Sequence, residues 1–596
     1  MTYDTIIRNG RWFDGTGAPS AVRNIGIVGG RVAAVTPHPL DETGCTQVVD
    51  ATGKWVLPGM IDIHTHYDVE VLGGPALPES VRHGVTTVLV GSCSLSAVHV
   101  GGEDAGDLFG RVEAIPREHV INAIDESKTW NNAAEYVAAL ESRPLGPNVA
   151  SFIGHSDMRT ATMGLDRATR KDTRPTSDEQ AQMERMLTEA LDAGFLGMSS
   201  QQLLFDKIDG ETCRSRTLPS TYAKPRELRR LKSLLRRRDR VLQSGPDITN
   251  PINLVSQVAQ SLPVLRDKLK TSLLSAADIK ANPFAIAALG PVARLVNRFG
   301  ADFRWQHLPV PFEVYADGID LVVFEEFGSG AAALHLRDEV ERNALLQDEG
   351  YRRRFRKEYD SKFGVRVWHR DFFDAQIVDC PDESVIGKSF GQVGLDRGGL
   401  HPVDAFLDLV VEHGTKVRWR TTISNHRPEV LKKLARDEGI QIGFSDAGAH
   451  LRNMAFYNFG LRLLRHVHDA ERTGKPFMTV EQVVHRLTGE LADWYDIDAG
   501  HLRIGDRADL VVVDPEHLDQ SLDDYAESPV PQYADLPRMV NRNDAAVNLV
   551  LVGGRTVVRG GVPTDLLGSA RTGSFLRAGT RTAAPASHES ELVHAG

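Results

Sequence analysis

Apolar positions in the first sixty residues follow the short alternation of strands rather than the longer period of helices. Asp4-Thr-Ile-Ile-Arg-Asn-Gly and Asn24-Ile-Gly-Ile-Val-Gly-Gly-Arg-Val-Ala-Ala-Val are strand-like runs separated by glycine turns. A similar pattern returns late in the chain, in Ala508-Asp-Leu-Val-Val-Val-Asp and Val547-Asn-Leu-Val-Leu-Val-Gly-Gly-Arg-Thr-Val-Val. The two sets predict one small composite β-sandwich, built from residues 1–56 and 501–565, with the intervening chain inserted between them. Residues 57–500 alternate short apolar runs with helical patterns. Thr86–Val90, Val149–Gly154, Phe195–Met198 and Ile440–Phe444 read as strands, and Ser177–Ala193 and Pro428–Glu438 as helices. Repeated strand–helix alternation over that length predicts an α/β fold of the (β/α)8 TIM-like barrel type. A long excursion at 250–375 is read as an insertion or lid, and residues 566–596 as a disordered tail.

Composition narrows the function. A formal net charge of −11 argues against a nucleic-acid binder, whose mark is a basic patch. The one basic run, Arg229–Arg240, carries leucines at helical spacing and is read as an amphipathic helix with a solvated basic face. Cys45, Cys93, Cys213 and Cys380 lack the paired spacing of a disulfide framework or a zinc ribbon. There is no secretory signal and no apolar run near the ~18 residues needed to span a bilayer. These features predict a cytoplasmic location and no membrane partner.

The sharpest chemical signal is Leu57-Pro-Gly-Met-Ile-Asp-Ile-His-Thr-His-Tyr-Asp. Successive side chains on a strand face opposite ways, so His64 and His66 project together. They do so at a strand's carboxyl end, where barrel active sites lie, and two imidazoles there suit zinc or a similar ion. Asp446, in Ile440-Gln-Ile-Gly-Phe-Ser-Asp-Ala-Gly-Ala-His, follows another apolar strand. There it can bind metal and shuttle a proton, or cap the next helix. His450 and Arg452 follow closely and are candidate substrate contacts.

Together LPGMIDIHTHYD, RHGVTTVLVGSC, LGPNVASFIGHSDMR, EALDAGFLGMS, GFSDAGAH and LRIGDRADLVVVDP resemble the amidohydrolase superfamily. More narrowly, they resemble its N-acyl-D-amino-acid deacylase (D-aminoacylase) branch, in order and over nearly the whole chain. The resemblance implies a metal-bearing barrel in which His64, His66, Cys93 and Asp446 are ligands and Asp446 is also catalytic. It places His155 near the substrate as a catalytic candidate; the alternative for that residue is a hydrogen-bonded core histidine. The pattern breaks at strands five and six, where relatives carry two further histidines. Here Arg240-Val-Leu-Gln-Ser-Gly offers Gln243, and Lys270-Thr-Ser-Leu-Leu offers Leu273. One Zn2+ or similar divalent ion is therefore expected rather than two, with Gln243 near the substrate. His307 and His426 stand near strand ends, and His426 is read as closing a seventh barrel strand and as a catalytic candidate. The expected function is metal-dependent hydrolysis of a small amide, such as an N-acyl amino acid; a homo-oligomer is compatible with the chain. The rival is a barrel of the same ancestry that has lost catalysis and serves in binding or assembly.

Overall fold

The computed structural model describes residues 2–580 apart from 205, 211, 248–250, 265, 337 and 362–365. Eight parallel strands run, in chain order, through Met60–Asp62, Val85–Val90, Asn148–Gly154, Gly197–Gln201, Val241–Gly245, Lys270–Leu273, Asp302–His307 and Ile440–Ile442. They are numbered below as barrel strands one to eight. The ring closes where the first and eighth continue as His64–Thr65 and Phe444–Ala447, which pair in parallel. The amide of Ile63 also donates to the Gly443 carbonyl at 2.7 Å. Strands two to four are buried at every residue, as expected when helices cover a parallel sheet. The α/β barrel read from the alternation is therefore present.

The terminal segments meet in a second sheet of nine strands. Trp55–Pro58 pairs with the first strand of the chain, Thr5–Trp12, on one side and with Leu510–Val513 on the other. Ile7, Ile25, Val56, Leu510, Val512 and Leu549 pack into a core of its own. Asp509 ties this sheet to the barrel by accepting from Asn148 Nδ2 at 2.8 Å, at the start of strand three.

Three organisational expectations change. The insertion is not at 250–375. Residues 251–261 and 286–298 are ordinary barrel helices that bracket strand six, and Asp302–His307 is strand seven. The extra chain lies between strands seven and eight, at 308–439. The strand ending near His426, Arg418–Ser424, pairs antiparallel with Phe312–Asp317 and Gln376–Asp379 inside that insertion, so it is no barrel strand. The insertion has its own aromatic core, in which Phe372 stacks on Phe406 with ring centroids 4.6 Å apart and Trp368 and Trp419 pack alongside. Each such pair adds about 0.5–1.5 kcal/mol beyond area burial, so these rings give the insertion a core of its own. Residues 566–580, expected to be disordered, instead lie on the barrel: Phe575 bridges to Val149, and Leu576 and Ala578 are buried against strand three and its neighbours. The remainder of that predicted tail, 581–596, lies outside the described residues.

Candidate metal centre

The extended backbone beyond Asp62 sends His64 and His66 to one side, and the loop after strand two brings Cys93 to meet them. One donor atom from each of the three lies within 4.8 Å of the others, and all three residues are buried. Cys93 Sγ is 3.4 Å from His64 Nε2. From strand eight, Asp446 Oδ1 comes within 3.1 Å of His66 Nε2 and 3.6 Å of His64 Nε2. Cys93, Ser94, Asp446 and His450 all adopt positive φ, between 49° and 71°. Four non-glycine residues in that costly region around one point show a backbone held in place by its surroundings. Two glycines permit the crowding: a Cβ on Gly91 would stand 2.1 Å from the Phe152 carbonyl oxygen, and one on Gly448 2.7 Å from the His66 carbonyl carbon.

The far ring nitrogens are fixed as well. His64 Nδ1 lies 2.7 Å from Gln306 Oε1; an amide oxygen only accepts, so Nδ1 carries the proton and Nε2 is left as a lone-pair donor. His66 Nδ1 faces Glu113 Oε1 at 3.2 Å, with Glu113 delivered by the turn that ends helix Gly102–Val112. Burial pushes the Glu113 carboxyl up to about 8 against the opposing pull of His66. Burial also lowers His64, to about 4, and raises the Cys93 thiol to about 12. Asp446 is held down at about 2: burial opposes ionisation, but the hydrogen bond and charge of His66 outweigh it.

These separations suit a cation. Ligands about 2.0–2.3 Å from zinc at tetrahedral angles stand about 3.3–3.7 Å from one another, near the spacings seen here. The donor set of two imidazoles, a thiolate and a carboxylate fits zinc chemistry.

The remaining predicted residues divide. Gln243 joins the cluster, its Nε2 3.2 Å from His64 Nδ1 and its Oε1 accepting from the Cys93 amide at 3.3 Å. His450 is half-buried beside Asp446 and His66, and desolvation lowers its pKa. His155 has both ring nitrogens engaged, with Ser200 Oγ at 3.2 Å and Glu227 Oε1 at 2.8 Å, and Glu227 also pairs with Arg159. It is thus built into a buried network rather than presented to the cluster. Arg452 is spent on Asp317 and Glu527, at 2.9 and 2.7 Å. His426, expected at the mouth, follows an insertion strand and faces Asp278 at 3.9 Å. His307 turns the other way from its neighbour Gln306 and meets the Ala276 carbonyl at 2.6 Å. Leu273 faces an outer core with Phe303 and Ile286, while Ser272 takes the inward place and receives Gln306 Nε2 at 3.0 Å. Glu113 and Gln306 escaped the sequence reading. Glu113 has no motif around it, and Gln306 stood beside a more conspicuous histidine.

The closed parallel barrel, joined to a composite sheet from both termini, carries a His-x-His cluster at its strand ends. Residues 47–239 match the amidohydrolase family. It is 57% identical over 594 residues to an uncharacterized protein of Mycobacterium tuberculosis, spanning 98% of this chain and 97% of that one. An N-acyl-D-glutamate deacylase of Alcaligenes xylosoxydans is 34% identical over 197 residues, 33% of this chain and 37% of that one. Among solved structures, the fold is similar to an N-acyl-D-glutamate deacylase of Bordetella bronchiseptica, complexed with zinc and a phosphonate inhibitor. The TM-score is 0.61 at 23% identity, covering 97% of this chain and 100% of that one.

Proposed function

We propose that the protein is a metal-dependent hydrolase of amide C–N bonds, acting on N-acyl amino acids or a related small amide. The observation that carries this reading is the convergence of His64, His66 and Cys93 on one point, with Asp446 beside them. His64 and His66 through Nε2, Cys93 through Sγ and Asp446 through Oδ1 would hold one divalent ion, zinc by their chemistry. Such an ion, when bound, supplies Lewis acidity toward the scissile carbonyl and toward water.

The chain's own residues do the rest. Asp446 stays ionised across the physiological range, so it can take a proton from the attacking water and return it to the departing amine. Gln306 keeps the His64 proton on Nδ1 and Glu113 orients His66, so that both Nε2 atoms face inward. Gln243 braces the Cys93 loop through its amide. With Arg452 engaged by two carboxylates, recognition of a substrate carboxylate falls to other groups at the mouth.

A non-catalytic barrel is the second reading, favoured by the amide and hydroxyl that strands five and six present inward. Metal content of protein purified without added metal, measured by mass spectrometry beside a His64→Ala/His66→Ala double variant, separates the two. About one equivalent, lost in the variant, together with amine release from N-acetyl-D- or N-acetyl-L-amino acids, is the expected result. No metal in either protein, and none taken up on incubation, would overturn the hydrolase and leave the binding barrel.

A further inference from the structure

The basic run Arg229–Arg240 presents Arg229, Arg230, Arg237 and Arg238 to solvent, as expected of a basic helix face, but not all of its cations follow. It forms the helix Pro225–Arg237 after barrel strand four, and Leu228, Leu231 and Leu235 turn inward as expected. Two of its cations turn inward too: Lys232 is 4% exposed and Arg236 8%. They lie on a cavity of about 490 Å³ between this helix and the next one, Pro251–Ser261, with Arg229 and Arg266 at its edge. Gln202, which follows the last residue of strand four, and Asp247, just past strand five, bring the cavity up to the shoulder of the barrel mouth.

The partners of the buried cations are neutral. Lys232 Nζ donates to Gln260 Oε1 at 2.7 Å and Arg236 Nη2 to the Gln260 carbonyl at 2.6 Å, while Arg236 Nε is buried without a partner. No described carboxylate is ion-paired with Lys232, Arg236, Arg229 or Arg266. Burial lowers Lys232 to about 7, and the charges of Arg236 and Arg266 lower it further. Arg236 is lowered to about 10 by burial and by Arg266, with Asp267 pulling weakly the other way. Buried charge is ordinarily paired, because desolvation is otherwise uncompensated. Cations gathered around a cavity of ligand size, with the Ser256 hydroxyl beside them, supply what an oxyanion needs, while the Asn253 and Gln257 amides donate to Gln202 and hold the wall in place.

We propose that this cavity is a binding site for a small molecule carrying a phosphate group, with Lys232 and Arg236 at its floor and Arg229 and Arg266 at its rim. The guanidinium groups suit the oxygens of a phosphate, and the lysine adds a compact charge. The site is built without His64, His66, Cys93 or Asp446, so it stands or falls separately from the hydrolase reading.

The probes are inorganic phosphate and pyrophosphate, with citrate as a polycarboxylate control and sodium chloride at matched ionic strength. The measurements are calorimetric affinity and thermal unfolding of the full chain. Saturable binding of phosphate or pyrophosphate that raises the melting temperature is expected, with citrate weaker. In Lys232→Met/Arg236→Met that binding should weaken at least tenfold, while the anion-free melting temperature stays level or rises as uncompensated buried charge is removed. If that variant does not fold, the exposed pair Arg229→Ala/Arg266→Ala carries the test, with an expected loss of about threefold or more. No saturable binding of the phosphate probes, binding that survives the substitutions unchanged, or binding of citrate in preference to them would overturn the proposal.

Discussion

The two halves of the barrel mouth are built from different chemistry. Strands one, two and eight send in His64, His66, Cys93 and Asp446, every one able to donate a lone pair to a cation. Strands five to eight also send in Gln243, which accepts from the Cys93 amide, and Ser272, Gln306 and Gln441, which exchange hydrogen bonds with one another and with Tyr495. Neither half is apolar, yet only the first carries charge. In the second, amides fill the space and fix the His64 imidazole by hydrogen bonding, without adding ligands. A barrel can thus keep its mouth full and its histidines oriented while reducing the number of groups that bind metal.

The largest break in that contrast comes from Asp446→Asn, which keeps the shape of the charged half but removes its base. Turnover of the amide substrate should fall about 10²- to 10⁴-fold while the melting temperature holds. Activity within a few-fold of the parent would remove Asp446 from proton transfer. Next is Gln306→Leu, which breaks the link between the halves. With no acceptor at His64 Nδ1, metal affinity in competition with a chelator should weaken about 10- to 100-fold. Unchanged affinity would mean that His64 is held by packing alone.

The smallest effect is the pH response of the metal-free protein. Glu113 is raised by burial from 4.5 to about 8, so the folded state holds a proton that the unfolded state has lost, and stability falls as pH rises through that window. His307, lowered from 6.5 to about 4, works the other way: the unfolded chain binds the extra proton, so stability falls as pH drops from about 6.5 toward 4. Thermal melts should show Glu113→Gln flattening the alkaline limb by a few degrees and His307→Gln the acid limb. If the variants track the parent at every pH, those protons are not linked to folding.

His64, His66 and Asp446 were legible in the sequence because each sits next to an apolar strand with a recognisable ending, whereas Cys93 was reached only through the family resemblance. The amide half was not legible. Gln306 is an ordinary polar residue until alternation places it inward and its neighbour His307 outward, and that depends on knowing strand seven. That strand was misplaced because Arg-Trp-Arg-Thr-Thr-Ile-Ser, at 418–424, has the β-branched and aromatic make-up of a barrel strand and ends before a histidine. Only its antiparallel partners, far along the chain at 312–317 and 376–379, show that it belongs to another sheet. The same holds for Lys232 and Arg236: helical spacing shows that a basic face exists, but not which of its members the next helix covers.

The composite sheet sets the order in which the protein can assemble during synthesis. The strand Trp55–Pro58 leads directly into the first barrel strand, and one of its two neighbours is Leu510–Val513. At about 5–20 residues per second, the ribosome takes roughly 20–90 s to deliver that neighbour after Pro58 has emerged. Through that interval one edge of Trp55–Pro58 lacks its native cover, and His64 and His66 wait for Asp446, which is translated nearly as late. Barrel closure and completion of the ligand set are therefore late events in translation, and a nascent chain that stalls midway exposes an apolar strand edge to chaperones before it can have any chemistry.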